Sequence, residues 1–70
     1  MNNHSIAQVL QQKTQILREA IVNKQELDNL SLENICELIE TYIDHDDYII
    51  EECAIILLNL FDKYNSLENI

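Results

Sequence analysis

The residues of this chain best suited to metal or nucleophile chemistry are two cysteines and two histidines, Cys36, Cys53, His4 and His45. A structural zinc site requires about four such ligands in closely spaced pairs, and none of these four belongs to a C-x-x-C or H-x-x-x-H pair. A nucleophilic cysteine requires an electropositive setting, whereas a glutamate adjoins each cysteine here. The sequence therefore predicts a protein that is not an enzyme, with no catalytic residue, no metal and no cofactor.

The segment Asp44-His45-Asp46-Asp47 concentrates three carboxylates and an imidazole within four residues. Our main interpretation is a helix cap, because an aspartate side chain can accept the free N–H groups of a helix's first turn. The same oxygens could hold a divalent cation weakly, although a calcium loop needs a longer series of ligands with a glycine and a closing glutamate. His45 is a hypothetical pH sensor because acids adjoin it.

The 70 residues include neither glycine nor proline. Tight hairpins and phosphate-binding loops depend on these residues, so their absence favours helices joined by short polar turns. The sequence predicts one all-α domain, residues 1–70, with three helices at about 6–24, 32–43 and 47–64. A chain of this length buries little surface alone, and without a disulfide framework or a zinc site the remaining source of stability is a homodimeric helical bundle.

Apolar residues recur at helical spacing in the first two predicted helices. Ser5 and Ser31 are the expected N-caps of the first and second helices. The apolar side of the first helix comprises Ile6, Val9, Leu10, Ile16, Leu17, Ala20 and Ile21, and that of the second comprises Leu32, Ile35, Cys36, Leu38, Ile39, Tyr42 and Ile43.

The third predicted helix is apolar on every side between residues 53 and 61. Such a helix must be buried all round, and two short neighbours in a monomer cannot easily enclose it. The run is too short to cross a bilayer, which takes about 20 apolar residues, so no membrane association is expected. The predicted dimer and core interface consists of Ile49, Cys53, Ile56, Leu57, Leu60 and Phe61.

The charge of −9 is unevenly distributed along the chain. Residues 1–25 hold three basic side chains and one acidic, whereas residues 26–70 hold twelve acidic and one basic. This acidity repels phosphate backbones and favours a basic protein surface as the partner. The predicted partner-binding acidic face consists of Glu33, Glu37, Glu40, Glu51 and Glu52.

Two other functions fit the composition. An acidic helical protein can mimic nucleic acid and inhibit a DNA-binding protein, as an antitoxin does. A structural subunit would use the apolar third helix to complete the core of a larger complex. The N-terminal segment lacks the basic and apolar regions of a secretory signal, so we expect a cytoplasmic protein in which Cys36 and Cys53 are reduced.

Residues 29–64 combine apolar helical spacing with particular residue pairs. The positions are Asn29-Leu30, Asn34-Ile35, Leu38-Ile39, a polar turn, Tyr48-Ile49-Ile50, Leu57-Leu58, Leu60 and Tyr64. In this pattern the segment resembles the YmgB/AriR and YcgZ family of small biofilm and acid-resistance regulators of enteric bacteria. The resemblance implies a homodimeric connector that modulates a two-component phosphorelay, with a signalling or transcription protein as partner. It implies no catalytic residue.

Overall fold

The chain forms three helices in the computed structural model, which describes residues 2–68. They are α1 (Asn3–Asn23), α2 (Asn29–Tyr42) and α3 (Tyr48–Glu68). No strand occurs among these residues. The predicted all-α, three-helix chain is confirmed.

Helix α3 lies against both other helices and packs most extensively against α1. At one end, the side-chain amide of Asn3 donates to the Asp47 carboxylate at 3.1 Å. At the other end, the Leu27 N–H donates to the Tyr64 hydroxyl at 2.8 Å. The start of α1 thus lies near the start of α3, and the end of α1 lies near the end of α3, so these two helices run parallel. Helix α2, which connects them in the chain, runs back in the opposite direction.

Helices α1 and α2 begin earlier than the sequence predicts. The Asn2 side chain accepts from the Ser5 N–H at 2.8 Å, and the Asp28 side chain accepts from the Ser31 N–H at 2.7 Å. Asn2 and Asp28 are therefore the N-caps, and the two serines lie in the first turn. The predicted serine caps were wrong because asparagine and aspartate, one turn earlier, cap at least as well.

Helix α3 begins as the sequence predicts, after an aspartate cap. One carboxylate oxygen of Asp47 accepts from the N–H groups of Ile49 and Ile50, at 2.9 and 3.2 Å. The Asp47 N–H in turn donates to Nδ1 of His45 at 3.0 Å. The interpretation of this polar turn as a helix cap is confirmed.

The core is a single cluster to which all three helices contribute. Leu10, Leu17, Ile35, Ile50 and Leu57 are its largest fully enclosed side chains. The remaining buried apolar members are Ile6, Ala20, Ile39, Ala54 and Tyr64.

The core-facing side of α1 differs from the predicted stripe at several positions. Ile16 is 40% exposed and Val9 is half-buried. Thr14 is buried in their stead, and its hydroxyl donates to the Leu10 carbonyl at 2.8 Å. A threonine can face the core because this bond within the helix satisfies its hydroxyl.

Candidate interaction surfaces

The fold covers only part of the apolar surface of α3. Among the six predicted interface residues, Leu57 is fully buried in the monomer core, and Phe61 packs half-buried against that core. Cys53 and Leu60 are also half-buried. Ile49 and Ile56 are 63% and 46% exposed. The other two helices therefore leave Ile49 and Ile56 exposed, whereas the other four predicted residues pack wholly or partly against the core.

The exposed Ile49 and Ile56 and the half-buried Cys53 and Leu60 belong to a row along one side of α3, which we call the α3 stripe. Successive members are alternately four and three residues apart, so they lie on one side of an α-helix. Lys63 and Leu67 continue the row at the same spacing. The predicted interface did not include them, although this spacing places them on the same side of the helix. The α3 stripe consists of Ile49, Cys53, Ile56, Leu60, Lys63 and Leu67.

Polar side chains of α1 border the α3 stripe. The Gln11 amide approaches the Cys53 sulfur at 4.0 Å. Three further glutamines, Gln8, Gln12 and Gln15, are exposed beside it on α1. An apolar strip with a polar margin is the usual organisation of a protein–protein interface.

Three of the five predicted partner-binding acids form a row on α2, which we call the α2 ridge: Glu33, Glu37 and Glu40. All three are exposed, and their spacing of four and three residues places them on one side of the helix over about 10.5 Å. Like charges at these spacings destabilise a helix by about 0.2–0.5 kcal/mol per pair. Helix α2 contains no lysine or arginine that would offset this cost.

The other two predicted acids lie on α3, apart from the α2 ridge. Both are half-buried. Glu51 lies in the first turn of α3, where a negative charge interacts favourably with the helix dipole. Glu52 immediately precedes Cys53 and borders the α3 stripe. The five acids are therefore divided between two helices.

Cys36 lies between two members of the α2 ridge. Its thiol donates to Glu40 at 3.7 Å. Burial raises the pKa of Cys36, and the negative charge of Glu40, its hydrogen bond and the charge of Glu37 raise that pKa further. A raised pKa keeps the sulfur in its unreactive thiol form. Both cysteines are free and half-buried, less deeply enclosed than the sequence suggested.

In the described part of the chain, no group of three or more histidine, cysteine, aspartate or glutamate side chains converges as metal ligands would. A groove of about 280 Å³ lies between the ends of α1 and α3, and among the described residues Lys24 is its only charged lining residue. The groove is lined by Ala20, Ile21, Lys24, Gln25, Tyr64 and Leu67.

Within residues 2–68, no helix combines the length and apolar character needed to span a membrane.

Comparison with known proteins leaves the family open. No family model matches the sequence, and neither a curated protein nor a solved structure matches this chain. The resemblance to the YmgB/AriR and YcgZ regulators remains a prediction.

Proposed function

We propose that this protein is a non-enzymatic adaptor that associates with itself through the α3 stripe and binds a basic protein through the α2 ridge. The observation that carries the proposal is that these two unlike surfaces lie on different helices of one small bundle. An apolar strip uncovered on a monomer is typical of a protein interface. An exposed row of like charges on α2 lowers stability, which favours a role in binding.

The charge of the chain supports a basic partner. Twelve of the thirteen acidic residues lie after residue 25, so a positively charged protein surface would be attracted to this part of the molecule. Electrostatic attraction of this kind speeds association and weakens as salt is added. The resemblance of residues 29–64 directs the search for the partner toward two-component signalling proteins, whose phosphorelay the adaptor would modulate.

The test compares two variants that remove equal charge from different surfaces. E33Q/E37Q/E40Q neutralises the α2 ridge, and E19Q/E26Q/D62N neutralises three other exposed acids. Proteins retained by the immobilised wild type are identified, and the affinity of each purified candidate is measured against all three forms. We expect the ridge variant to lose at least about tenfold in affinity, with a shallower salt dependence, and the control variant to bind nearly as the wild type does.

Equal losses in both variants would mean that total charge, and not the α2 ridge, governs binding, and would overturn the ridge assignment. Displacement of the captured protein by DNA would favour the alternative function, a nucleic-acid mimic. The α2 ridge has only three carboxylates over about 10.5 Å, which is short for a mimic of a nucleic-acid backbone. We therefore favour the adaptor function over the mimic.

A further inference from the structure

The α3 stripe has the residue spacing of a coiled-coil seam. Alternating steps of four and three residues are the pattern by which two helices pack side by side. Leu67, near the end of the stripe, is 48% exposed, and Ile49, at its start, is 63% exposed. The fully buried core positions of α3 are Ile50, Ala54, Leu57 and Tyr64, and the half-buried Cys53 and Leu60 of the stripe pack partly against the same core. The seam spans about 27 Å of helix, with Ile49, Ile56, Lys63 and Leu67 exposed and Cys53 and Leu60 partly covered by the core.

One member of the stripe carries a charge, and that charge distinguishes the two ways in which the helix can pair with its copy. In a symmetric parallel pair each residue lies opposite itself, so two Lys63 ammonium groups would meet in the seam. Like charges that meet in an interface are costly. Repulsion between the two Lys63 ammonium groups therefore disfavours the parallel arrangement.

The antiparallel arrangement avoids this repulsion and pairs apolar residues with each other in four of its six layers. Centred on residue 58, it places Lys63 of each subunit opposite Cys53 of its partner and beside Glu52. The stripe, together with the neighbouring Glu52, is therefore complementary in charge to a second copy of itself. The layers of the antiparallel pair are Ile49 with Leu67, Ile56 with Leu60, and Cys53 with Lys63, each occurring twice.

We propose that the occupant of the α3 stripe is the α3 stripe of a second copy of this chain, running antiparallel, with Glu52 paired to Lys63 of the partner subunit. This inference rests on the self-association in the proposed function and specifies its geometry. The polar glutamines of α1 lie at the margin of the paired helices, where an interface tolerates water.

Zero-length carbodiimide coupling of the wild-type protein tests the arrangement directly. The reaction joins a carboxylate to an amine in contact with it, and mass spectrometry of the digest locates the bond. Glu52 and Lys63 are eleven residues apart on one helix, about 16.5 Å, so an amide bond between them must link two chains. We expect this bond, and we expect mild oxidation to leave the two Cys53 residues of the dimer unlinked because they lie about 15 Å apart along the helix axis.

A charge exchange supplies an independent measurement. K63E and E52K should each raise the dimer dissociation constant about tenfold, and the E52K/K63E double variant should restore it to within about threefold of the wild-type value. R18E makes the same change in net charge as K63E on the exposed side of α1 and controls for general repulsion. Circular dichroism of each variant checks that the bundle is folded.

The outcomes separate the geometry from the function. A light-scattering mass of a dimer with a Cys53–Cys53 disulfide, or with additive effects of E52K and K63E, would overturn the antiparallel geometry and leave self-association intact. The mass of a monomer at micromolar concentration would overturn both.

Discussion

At the scale of single residues, Lys24 shows how a chain without glycine ends a helix. Its backbone is left-handed, with φ 54° and ψ 40°. The next N–H, of Gln25, donates to the Ala20 carbonyl at 2.9 Å, and the Lys24 N–H donates to the Ile21 carbonyl at 3.4 Å. This is the hydrogen-bond pattern of a Schellman motif, which normally places glycine at the left-handed position.

Lys24→Gly is therefore expected to stabilise the protein. A non-glycine residue in the left-handed region costs the folded state about 1–2 kcal/mol, which glycine removes. About 0.5–1 kcal/mol of this gain is lost again, because glycine has a larger conformational entropy in the unfolded chain. We expect the free energy of unfolding to rise by about 0.5–1 kcal/mol, measured by urea denaturation at fixed protein concentration.

Arg18→Gly is the matched control for this prediction. It also removes one positive charge from α1, but at an exposed position within the helix. There glycine should lower stability by about 1 kcal/mol. A lower free energy of unfolding in both variants would show that the left-handed backbone of Lys24 does not destabilise the folded protein.

At the scale of helices, the charged cap of α2 makes stability depend on pH. The Asp28 pKa is lowered by the hydrogen bond from the Ser31 backbone N–H and further by the Ser31 hydroxyl, with a small opposing effect of burial. A carboxylate with a lowered pKa in the folded state stabilises that state above its unfolded pKa. The contribution is lost as pH falls through the folded pKa.

Asp28→Asn isolates this contribution because an amide oxygen can cap without titrating. Asn2 already does so for α1, at 2.8 Å from the Ser5 N–H. We expect the wild type to be more stable than Asp28→Asn at neutral pH, and this advantage to shrink below about pH 4, near the ordinary aspartate pKa. Thermal unfolding of both proteins across pH 2–7 measures the difference, with Asp62→Asn as a control for charge removal. A difference that stays constant with pH would contradict the assignment.

The helices were predictable where apolar spacing or cap chemistry determines them. The pattern of buried residues predicted all three helices, and the aspartates before Tyr48 predicted the α3 cap. The first turn of α2 was missed because Ser31 was predicted as its N-cap, and because Leu30, which is 76% exposed, lies off the buried side of the helix. The last turn of α3 was missed for a similar reason, since Lys63 interrupts the apolar residues before Leu67.

The division of α3 into core and stripe could not be predicted from sequence alone. Its apolar residues face every direction between positions 53 and 61, so the pattern contains no information on which side α1 and α2 occupy. The arrangement of the helices decides this, burying Leu57 and leaving Ile56 exposed.

At the scale of the whole molecule, apolar attraction and net charge act in opposite directions on self-association. The α3 stripe favours a dimer, whereas the −9 charge of each chain makes two copies repel. Salt reduces this repulsion, since the screening length falls from about 10 Å at 0.1 M to about 3 Å at 1 M. The same salt weakens the attraction between the α2 ridge and a basic partner, so the two proposed surfaces should respond to salt with opposite sign.

The thermal midpoint of the isolated protein should therefore rise with protein concentration, because association stabilises the folded chain by mass action, and added salt should not lower it. Ile56→Asp places a charge at the centre of the stripe, and we expect it to abolish the concentration dependence. Val22→Asp adds the same charge at a position that is 74% exposed on α1 and should leave that dependence in place. A wild-type midpoint that does not change over a hundredfold range of concentration would mean that the α3 stripe is not covered by a second copy, and that its partner is a different protein.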